Sequence, residues 1–366
     1  MQYPSLFRHG QINQTTLHNR ILLAPMTRIS AAEDGVPGET MRRYYTRFAR
    51  GGFGALITEG IYVDQAWSQT YQCQPGIVNN RQVAAWREIV HDVRRAGSAI
   101  IAQLIHAGAL SQANIWRDNT VAPSAVQPKG QQLAFYHGNG DYPLPEAMSE
   151  EQIQQVIRSF ADSAGRAIAE AEFDGVEIHA ANGYLLDQFF TDYTNQRSDR
   201  WGGDIAARLA LTLEVIHAVR SKIGQHATLG VRISQGKVND FHHKWQEGER
   251  GAREVFRLLQ EAGVDYIHVT EYRAWQPAFS DSPLSLVEIA RQAAPDTVII
   301  ANGGLDNGEL AEQQLQQGAD FVAIGKAALA NPDWPARVNA GEALQDLPAD
   351  ILAPIANIKP SELDIS

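Results

Sequence analysis

The chain has 366 residues, with 31 Lys and Arg against 42 Asp and Glu, so its formal net charge is −11. This acidic balance argues against non-specific binding to nucleic acid or to anionic membranes, and no window approaches the roughly 18 uninterrupted apolar residues of a membrane-spanning helix. The single cysteine, Cys73, excludes an internal disulfide framework, a cysteine-rich metal site and an iron–sulfur cluster held by several cysteines. With no signal-peptide pattern at the first residues, we predict a cytoplasmic protein that acts on small molecules.

Short apolar runs alternate along the chain with stretches of helical period. Val, Ile and Leu dominate most of these runs, as expected of strands that are buried on both faces. The eight predicted strands are residues 21–25, 54–59, 99–104, 175–179, 228–233, 265–270, 297–301 and 320–324.

Eight helices are predicted to follow these strands. Ser149 with Gln152 forms a capping-box pattern, and glycines stand where several helices should end. The predicted helices are residues 40–50, 81–96, 149–171, 204–223, 249–262, 283–293, 307–317 and a last one from about residue 333. Eight evenly spaced βα units favour a closed (β/α)8 barrel, here a single domain over residues 1–366, and leave a doubly wound open sheet as the alternative.

Two segments depart from an ideal barrel. Residues 3–14 precede the first strand and are predicted to form a hairpin across the bottom of the barrel. Residues 106–148 form a segment far longer than an ordinary βα loop, which contains Trp116, Phe135, Tyr136 and Tyr142. Because long loops are usually functional and βα loops lie at the mouth of a barrel, we predict that this segment caps the active site.

Two residue pairs that contain glycine follow the last two strands, where barrels often bind phosphate. Gly303 with Gly304, and Gly325 beside Lys326, expose backbone N–H groups just before a helix. Either pair alone could equally make a tight turn. Both pairs together, with a lysine, favour a phosphate.

A reactive cluster follows the fourth strand. His179 and Asn182 are three residues apart in a turn and can direct two N–H donors at one carbonyl oxygen. Tyr184 is a neutral phenol with an ordinary pKa near 10, which suits it to protonate an enolate at neutral pH. A histidine at a strand end often only binds the next loop, so these three residues alone leave a structural role open.

The surrounding sequence resembles the old yellow enzyme family. The longest similar stretch comprises residues 175–190 with its continuation through 195–203, and shorter ones are residues 19–28, 103–108, 231–234 and 323–326. Members of the family are FMN-dependent NAD(P)H oxidoreductases on a (β/α)8 barrel. The resemblance therefore implies this fold, FMN as cofactor and NADH or NADPH as reductant. Some members also carry an iron–sulfur cluster and further nucleotide-binding domains, but with a single cysteine this chain is expected to be of the single-domain, FMN-only type.

The resemblance also assigns residues to the cofactor. Gln103 would bind the pyrimidine edge of the flavin, and Arg232 would place positive charge near N1 and O2, which raises the reduction potential. Many members carry arginine where this chain has Lys326; lysine keeps the charge but loses the two-pronged geometry. The residues expected at FMN are Ala24, Pro25, Met26, Thr27, Gly60, Gln103 and Arg232 at the ring, and Gly303, Gly304, Gly325 and Lys326 at the phosphate.

The implied reaction is a ping-pong reduction of activated alkenes, which are α,β-unsaturated carbonyl or nitro compounds. His179 and Asn182 would bind the substrate oxygen, and Tyr184 would protonate the α-carbon after hydride transfer to the β-carbon. No metal is implied.

Other functions stay open at this point. An NADH oxidase or a flavin or quinone reductase would use the same FMN barrel. A flavin-free aldolase or isomerase would explain the phosphate site, but it needs a basic group for which Glu59 is the only obvious candidate. A binding protein without catalysis is disfavoured by the intact cluster of His179, Asn182 and Tyr184. The sequence also leaves open the natural acceptor, the choice between NADH and NADPH, and a homo-oligomer.

Overall fold

A short hairpin opens the fold in the computed structural model, which describes residues 2–363. Strands β1 (Gly10–Ile12) and β2 (Thr15–Leu17) are antiparallel, and their last residues are buried inside the barrel. The hydroxyl of Thr228, the first residue of a barrel strand, donates to the Ile12 carbonyl at 3.4 Å. The hairpin therefore closes the amino-terminal end of the barrel as predicted, although it covers residues 10–17 and not 3–14.

Eight parallel strands form a closed ring, each at one of the predicted apolar runs. The ring closes because β13 (Phe321–Ile324) pairs with β3 (Ile21–Leu23), and β4 (Ala55–Ile57) pairs with β6 (Ala99–Ile105). The barrel strands are β3 (Ile21–Leu23), β4 (Ala55–Ile57), β6 (Ala99–Ile105), β9 (Gly175–Asn182), β10 (Thr228–Lys237), β11 (Tyr266–Thr270), β12 (Val298–Asn302) and β13 (Phe321–Ile324). The predicted (β/α)8 barrel is confirmed, and the alternative of an open sheet is wrong.

Ten α-helices are present within residues 2–363, and eight of them match predicted helices. The Ser149 capping box with Gln152 forms as expected. None of the described helices is both long and apolar enough to span a membrane. The helices are α1 (Glu39–Arg50), α2 (Asn80–Arg95), α3 (Glu150–Ala169), α4 (Leu185–Phe190), α5 (Ile205–Ile223), α6 (Gly248–Glu261), α7 (Leu286–Ala293), α8 (Gly308–Gln316), α9 (Lys326–Ala330) and α10 (Trp334–Ala340).

The long segment after β6 contains little regular structure. It includes β7 (Val121–Ala122) and β8 (Glu146–Ala147), which pair with each other, while β5 (Ile61–Tyr62) extends the sheet beside β6. The Tyr136 hydroxyl donates to the carbonyl of Thr27 at 3.1 Å, and Tyr142 packs in a small cluster with Tyr184. The segment thus touches the carboxyl ends of two strands. That it caps an active site, and that residues 1–366 form one domain, stay predictions.

Candidate active site

A buried polar network lies inside the barrel. Gln103 on β6 donates from Nε2 to Glu177 on β9 at 2.7 Å, and Tyr266 Oη and His268 Nδ1 lie 3.0 and 2.8 Å from the other carboxylate oxygen. Burial alone would raise the pKa of Glu177, but His268, Arg232 and Gln103 hold it below its ordinary value. This carboxylate is therefore ionised, and hydrogen bonds from neighbouring side chains stabilise its charge. Apart from Gln103 and Arg232, the sequence analysis missed these residues.

Arg232 connects this network to the mouth of the barrel. Its Nη2 donates to Thr270 Oγ1 at 3.2 Å and to Asn302 Oδ1 at 3.0 Å. Burial lowers the pKa of Arg232, and the nearby charge of Glu177 opposes this change. Its buried Nε has no hydrogen-bond partner among residues 2–363. A buried guanidinium N–H without a partner is costly, so this donor suits a bound acceptor.

The ends of β3 and β13 lie side by side. The Ala24 N–H donates to the Ile324 carbonyl at 2.9 Å. A side-chain carbon added to Gly325 would lie 3.8 Å from Met26 Sδ and 3.9 Å from Ala24 Cβ. The structure therefore brings these predicted flavin residues together from the two ends of the chain. The three residues after Ala24 are half-buried, namely Pro25, Met26 and Thr27.

The glycines at the mouth differ in their surroundings. A Cβ at Gly60 would lie only 2.9 Å from Ile105 Cγ2, so the backbone packs closely there. Gly303 and Gly304 both have positive φ, +128° and +63°, and are half-buried. Lys326 is exposed, and its ammonium makes no hydrogen bond within the described part of the chain. That Gly303 and Gly304 meet Gly325 and Lys326 at one phosphate stays a prediction.

His179 is held as a neutral donor. Its ring is only 3% exposed, and the Ala181 N–H donates to Nδ1 at 3.3 Å, which leaves the ring proton on Nε2. Burial lowers the pKa of His179 well below its ordinary value, and the charges of Arg232 and His268 act in the same direction. At neutral pH this imidazole can therefore donate one hydrogen bond without carrying charge.

Asn182 and Tyr184 complete the cluster. The Asn182 N–H donates to Ser234 Oγ at 2.8 Å, while its side-chain amide has no partner within residues 2–363. The Tyr184 ring stands edge-on to His179 at 5.0 Å, and its hydroxyl lies 2.8 Å from that of Tyr71. Burial raises the pKa of Tyr184 to about 12. Tyr184 is thus a protonated phenol at neutral pH, beside two groups with unused N–H donors.

The chain is similar to known proteins along most of its length. Residues 5–345 match the model of the NADH:flavin oxidoreductase / NADH oxidase family. The chain belongs to this family. Among solved structures, an old yellow enzyme homologue from Zymomonas mobilis superposes with a TM-score of 0.87 at 30% identity and covers 98% of both chains. The predicted resemblance to old yellow enzymes is confirmed.

Two relatives show how proteins of this family differ in length. A probable flavin mononucleotide-dependent alkene reductase of Leishmania infantum is 34% identical over 90% of this chain and 88% of its own length. The NADH oxidase of Thermoanaerobacter brockii is 30% identical over 93% of this chain, but the chain spans only 51% of that protein.

Proposed function

We propose that this family member is an FMN-dependent NAD(P)H oxidoreductase that reduces activated alkenes. The observation that carries the proposal is the cluster at the carboxyl end of β9. There the neutral imidazole of His179 and the Asn182 amide, which has no partner within residues 2–363, accompany the protonated phenol of Tyr184. Two donors for a substrate oxygen and one acid for carbon are what this reduction requires. The alkene reductase of L. infantum supports the same activity.

The residues at the mouth suit FMN. The unpartnered Nε of Arg232 fits an acceptor on the flavin ring, and its charge suits the side where negative charge collects on reduction. Lys326 is exposed and offers a cation for the phosphate. The proposed ring contacts are Ala24, Pro25, Met26, Thr27, Gly60, Gln103 and Arg232, and the proposed phosphate contacts are Gly303, Gly304, Gly325 and Lys326.

Three side chains would do the work on the substrate. When bound, FMN supplies the hydride that it has received from NADH or NADPH. His179 Nε2–H and the Asn182 amide would donate to the carbonyl or nitro oxygen and so draw electron density from the β-carbon. Tyr184 would hold its proton until the α-carbon accepts it. Mutational removal of one such hydrogen-bond donor to a substrate oxygen usually lowers the rate by about two to three orders of magnitude.

Electron transfer to oxygen is a second candidate. The relative from T. brockii is named an NADH oxidase, and oxidation of a reduced flavin by oxygen needs no dedicated acid. The role of Tyr184 separates the two functions, because only alkene reduction requires a proton at carbon.

We also propose a cytoplasmic location and small-molecule partners only. With Cys73 as its single cysteine, the chain cannot form the internal disulfides that are typical of small secreted proteins. Its net charge of −11 disfavours binding to nucleic acid. Sedimentation of the purified protein would establish whether copies associate.

The Tyr184→Phe variant tests the proposal. Single-turnover reduction of an enone should slow by about a hundredfold or more, because the acid is gone. Flavin reduction by NADH, measured in the same stopped-flow instrument, should be unchanged because that half-reaction transfers no proton to carbon. Equal slowing of both half-reactions would reject the assigned role of Tyr184.

A further inference from the structure

Tyr71 lies directly behind the proposed acid. It comes from the irregular segment between β5 and α2, yet its hydroxyl oxygen is 2.8 Å from that of Tyr184. Both side chains are buried, at 1% and 5% exposure. The Tyr71 hydroxyl has no other hydrogen-bond partner within residues 2–363. The pair therefore has two arrangements: either Tyr184 donates to Tyr71, or Tyr71 donates to Tyr184.

Only one arrangement is compatible with acid catalysis. If Tyr184 donated to Tyr71, its proton would be held away from any substrate. If Tyr71 donates, the Tyr184 O–H is free to turn toward the substrate, and the oxygen that loses a proton already accepts a hydrogen bond.

We propose that Tyr71 is a positioning residue for the acid, which directs the Tyr184 O–H and stabilises the phenolate left after proton transfer. This inference rests on the proposed function. In the step, the Tyr184 O–H bond breaks, a C–H bond forms at the α-carbon, and the electron pair stays on the Tyr184 oxygen. Tyr71 keeps its own proton throughout, and a proton from water restores Tyr184.

The long segment after β6 holds Tyr71 in place. The rings of Tyr71 and Tyr136 pack with their centroids 4.4 Å apart, and Tyr136 is anchored by its hydrogen bond to the Thr27 carbonyl at 3.1 Å. A buried phenol packed on one face has few rotamers to choose from, so its hydroxyl stays within reach of Tyr184. This gives residues 106–148 a specific contribution to the site.

The electrostatics agree in direction with this geometry. Burial raises the pKa of Tyr184, and the hydrogen bond from Tyr71 acts against that rise, as does the charge of Arg232. Removal of the Tyr71 hydroxyl leaves the phenolate of Tyr184 buried with one donor fewer. Loss of a hydrogen bond to a charged group typically costs about ten- to a hundredfold in an equilibrium or rate constant.

The test compares Tyr71→Phe with Tyr142→Phe in the FMN-loaded protein. Tyr142 is a matched control because it is equally buried in the cluster with Tyr184, but its hydroxyl has no partner within the described residues. Tyr71→Phe should slow flavin reoxidation by cyclohexenone about ten- to a hundredfold and leave flavin reduction by NADH unchanged. It should also raise the pKa of Tyr184, which is the pKa of the alkaline limb in the pH profile of the enone step. Tyr142→Phe should leave all three at wild-type values.

A second readout needs no turnover. In protein labelled with ¹³C at tyrosine Cζ, the resonance lost in Tyr184→Phe identifies Tyr184. It should shift in Tyr71→Phe and stay in place in Tyr142→Phe. 3-Fluorotyrosine has nearly the same shape as tyrosine but is a stronger hydrogen-bond donor. When it replaces Tyr71, the Tyr184 resonance should shift in the opposite direction.

The outcomes separate the two proposals. A wild-type rate with enone in Tyr71→Phe, or an unmoved Tyr184 resonance, would overturn the inference about Tyr71 alone. Wild-type protein that NADH reduces but no activated alkene reoxidises would overturn the proposed function and the inference with it.

Discussion

His179 shows how burial selects a protonation state at the residue scale. Its ring is surrounded by protein, and β9 places it opposite Arg232 on β10. Because burial and this neighbouring charge lower its pKa, protonation requires a more acidic pH than for an exposed histidine.

We therefore predict that the rate of enone reduction shows no histidine-dependent decline between pH 6 and 8. The measurement is flavin reoxidation by enone across this range, in wild type and in His179→Asn, which keeps a side-chain donor but does not titrate. An acidic limb with a pKa near 6.5 that is present in wild type and absent in His179→Asn would contradict the neutral imidazole.

The residues of the site differ in how far the sequence predicts them. His179, Asn182 and Tyr184 lie within residues 179–184, so their proximity follows from the sequence alone. The predicted turn begins later than expected, because β9 extends to Asn182 and therefore contains His179. Tyr71 is 113 positions from Tyr184, in a segment without periodicity, and only the closed barrel brings the two hydroxyls together. Glu177 stands in an apolar run, where nothing local indicates its three donors.

At the scale of elements, a buried ion pair supports the turn that carries Asn182. Asn182 and Gly183 both have positive φ, +62° and +88°. Asp187, in α4, accepts the Gly183 N–H at 2.6 Å and binds the ammonium of Lys237, in β10, with both oxygens at 2.9 Å. The pair is almost fully buried, and Lys237 is also the register partner of Asn182.

We expect Asp187→Leu alone to lower the free energy of unfolding by about 3–5 kcal/mol, because Lys237 is left as a buried unpaired cation. The double variant Asp187→Leu/Lys237→Met should recover most of this loss. It should still reduce enone at least about tenfold more slowly than wild type, since the Gly183 N–H has lost its acceptor and the turn is less well fixed. Unfolding in urea and single-turnover kinetics are the measurements. Wild-type enone kinetics in the double variant would show that the pair does not position the turn.

The strands were predictable and two helices were not. Each barrel strand is an apolar run buried on both faces, and such a run can be recognised in the sequence before the fold is known. Helices α4 and α9 have six and five residues, too few to show a helical period. The hairpin lies later than predicted because its strands are only three residues each.

On the scale of the whole molecule, one arginine joins the two ends of the described chain. Arg28, after β3, is fully buried and forms a two-pronged pair with Glu362 at 2.6 and 2.5 Å. It also donates to the carbonyls of Ala356 and Asn357. The segment that follows α10 is thereby fixed beside the strand whose end is proposed to contact the flavin.

Glu362→Gln should therefore lower the free energy of unfolding by several kcal/mol, because the charge of Arg28 loses its buried partner. Glu342→Gln is the control, since that carboxylate is exposed and lies 4.0 Å from Arg337, where a pair contributes little. Urea unfolding of the two variants gives the comparison. Equal effects in both would show that Arg28 does not anchor this segment.

One measurement tests the central claim most directly: the visible spectrum of the purified protein under anaerobic conditions, first with NADH or NADPH and then with cyclohexenone. We predict flavin bands that bleach with the nicotinamide and return with the enone, which establishes both half-reactions in one sample. Bleaching that only oxygen reverses would contradict alkene reduction and favour the NADH oxidase. A colourless protein that cannot be reconstituted with FMN would contradict the flavin site itself.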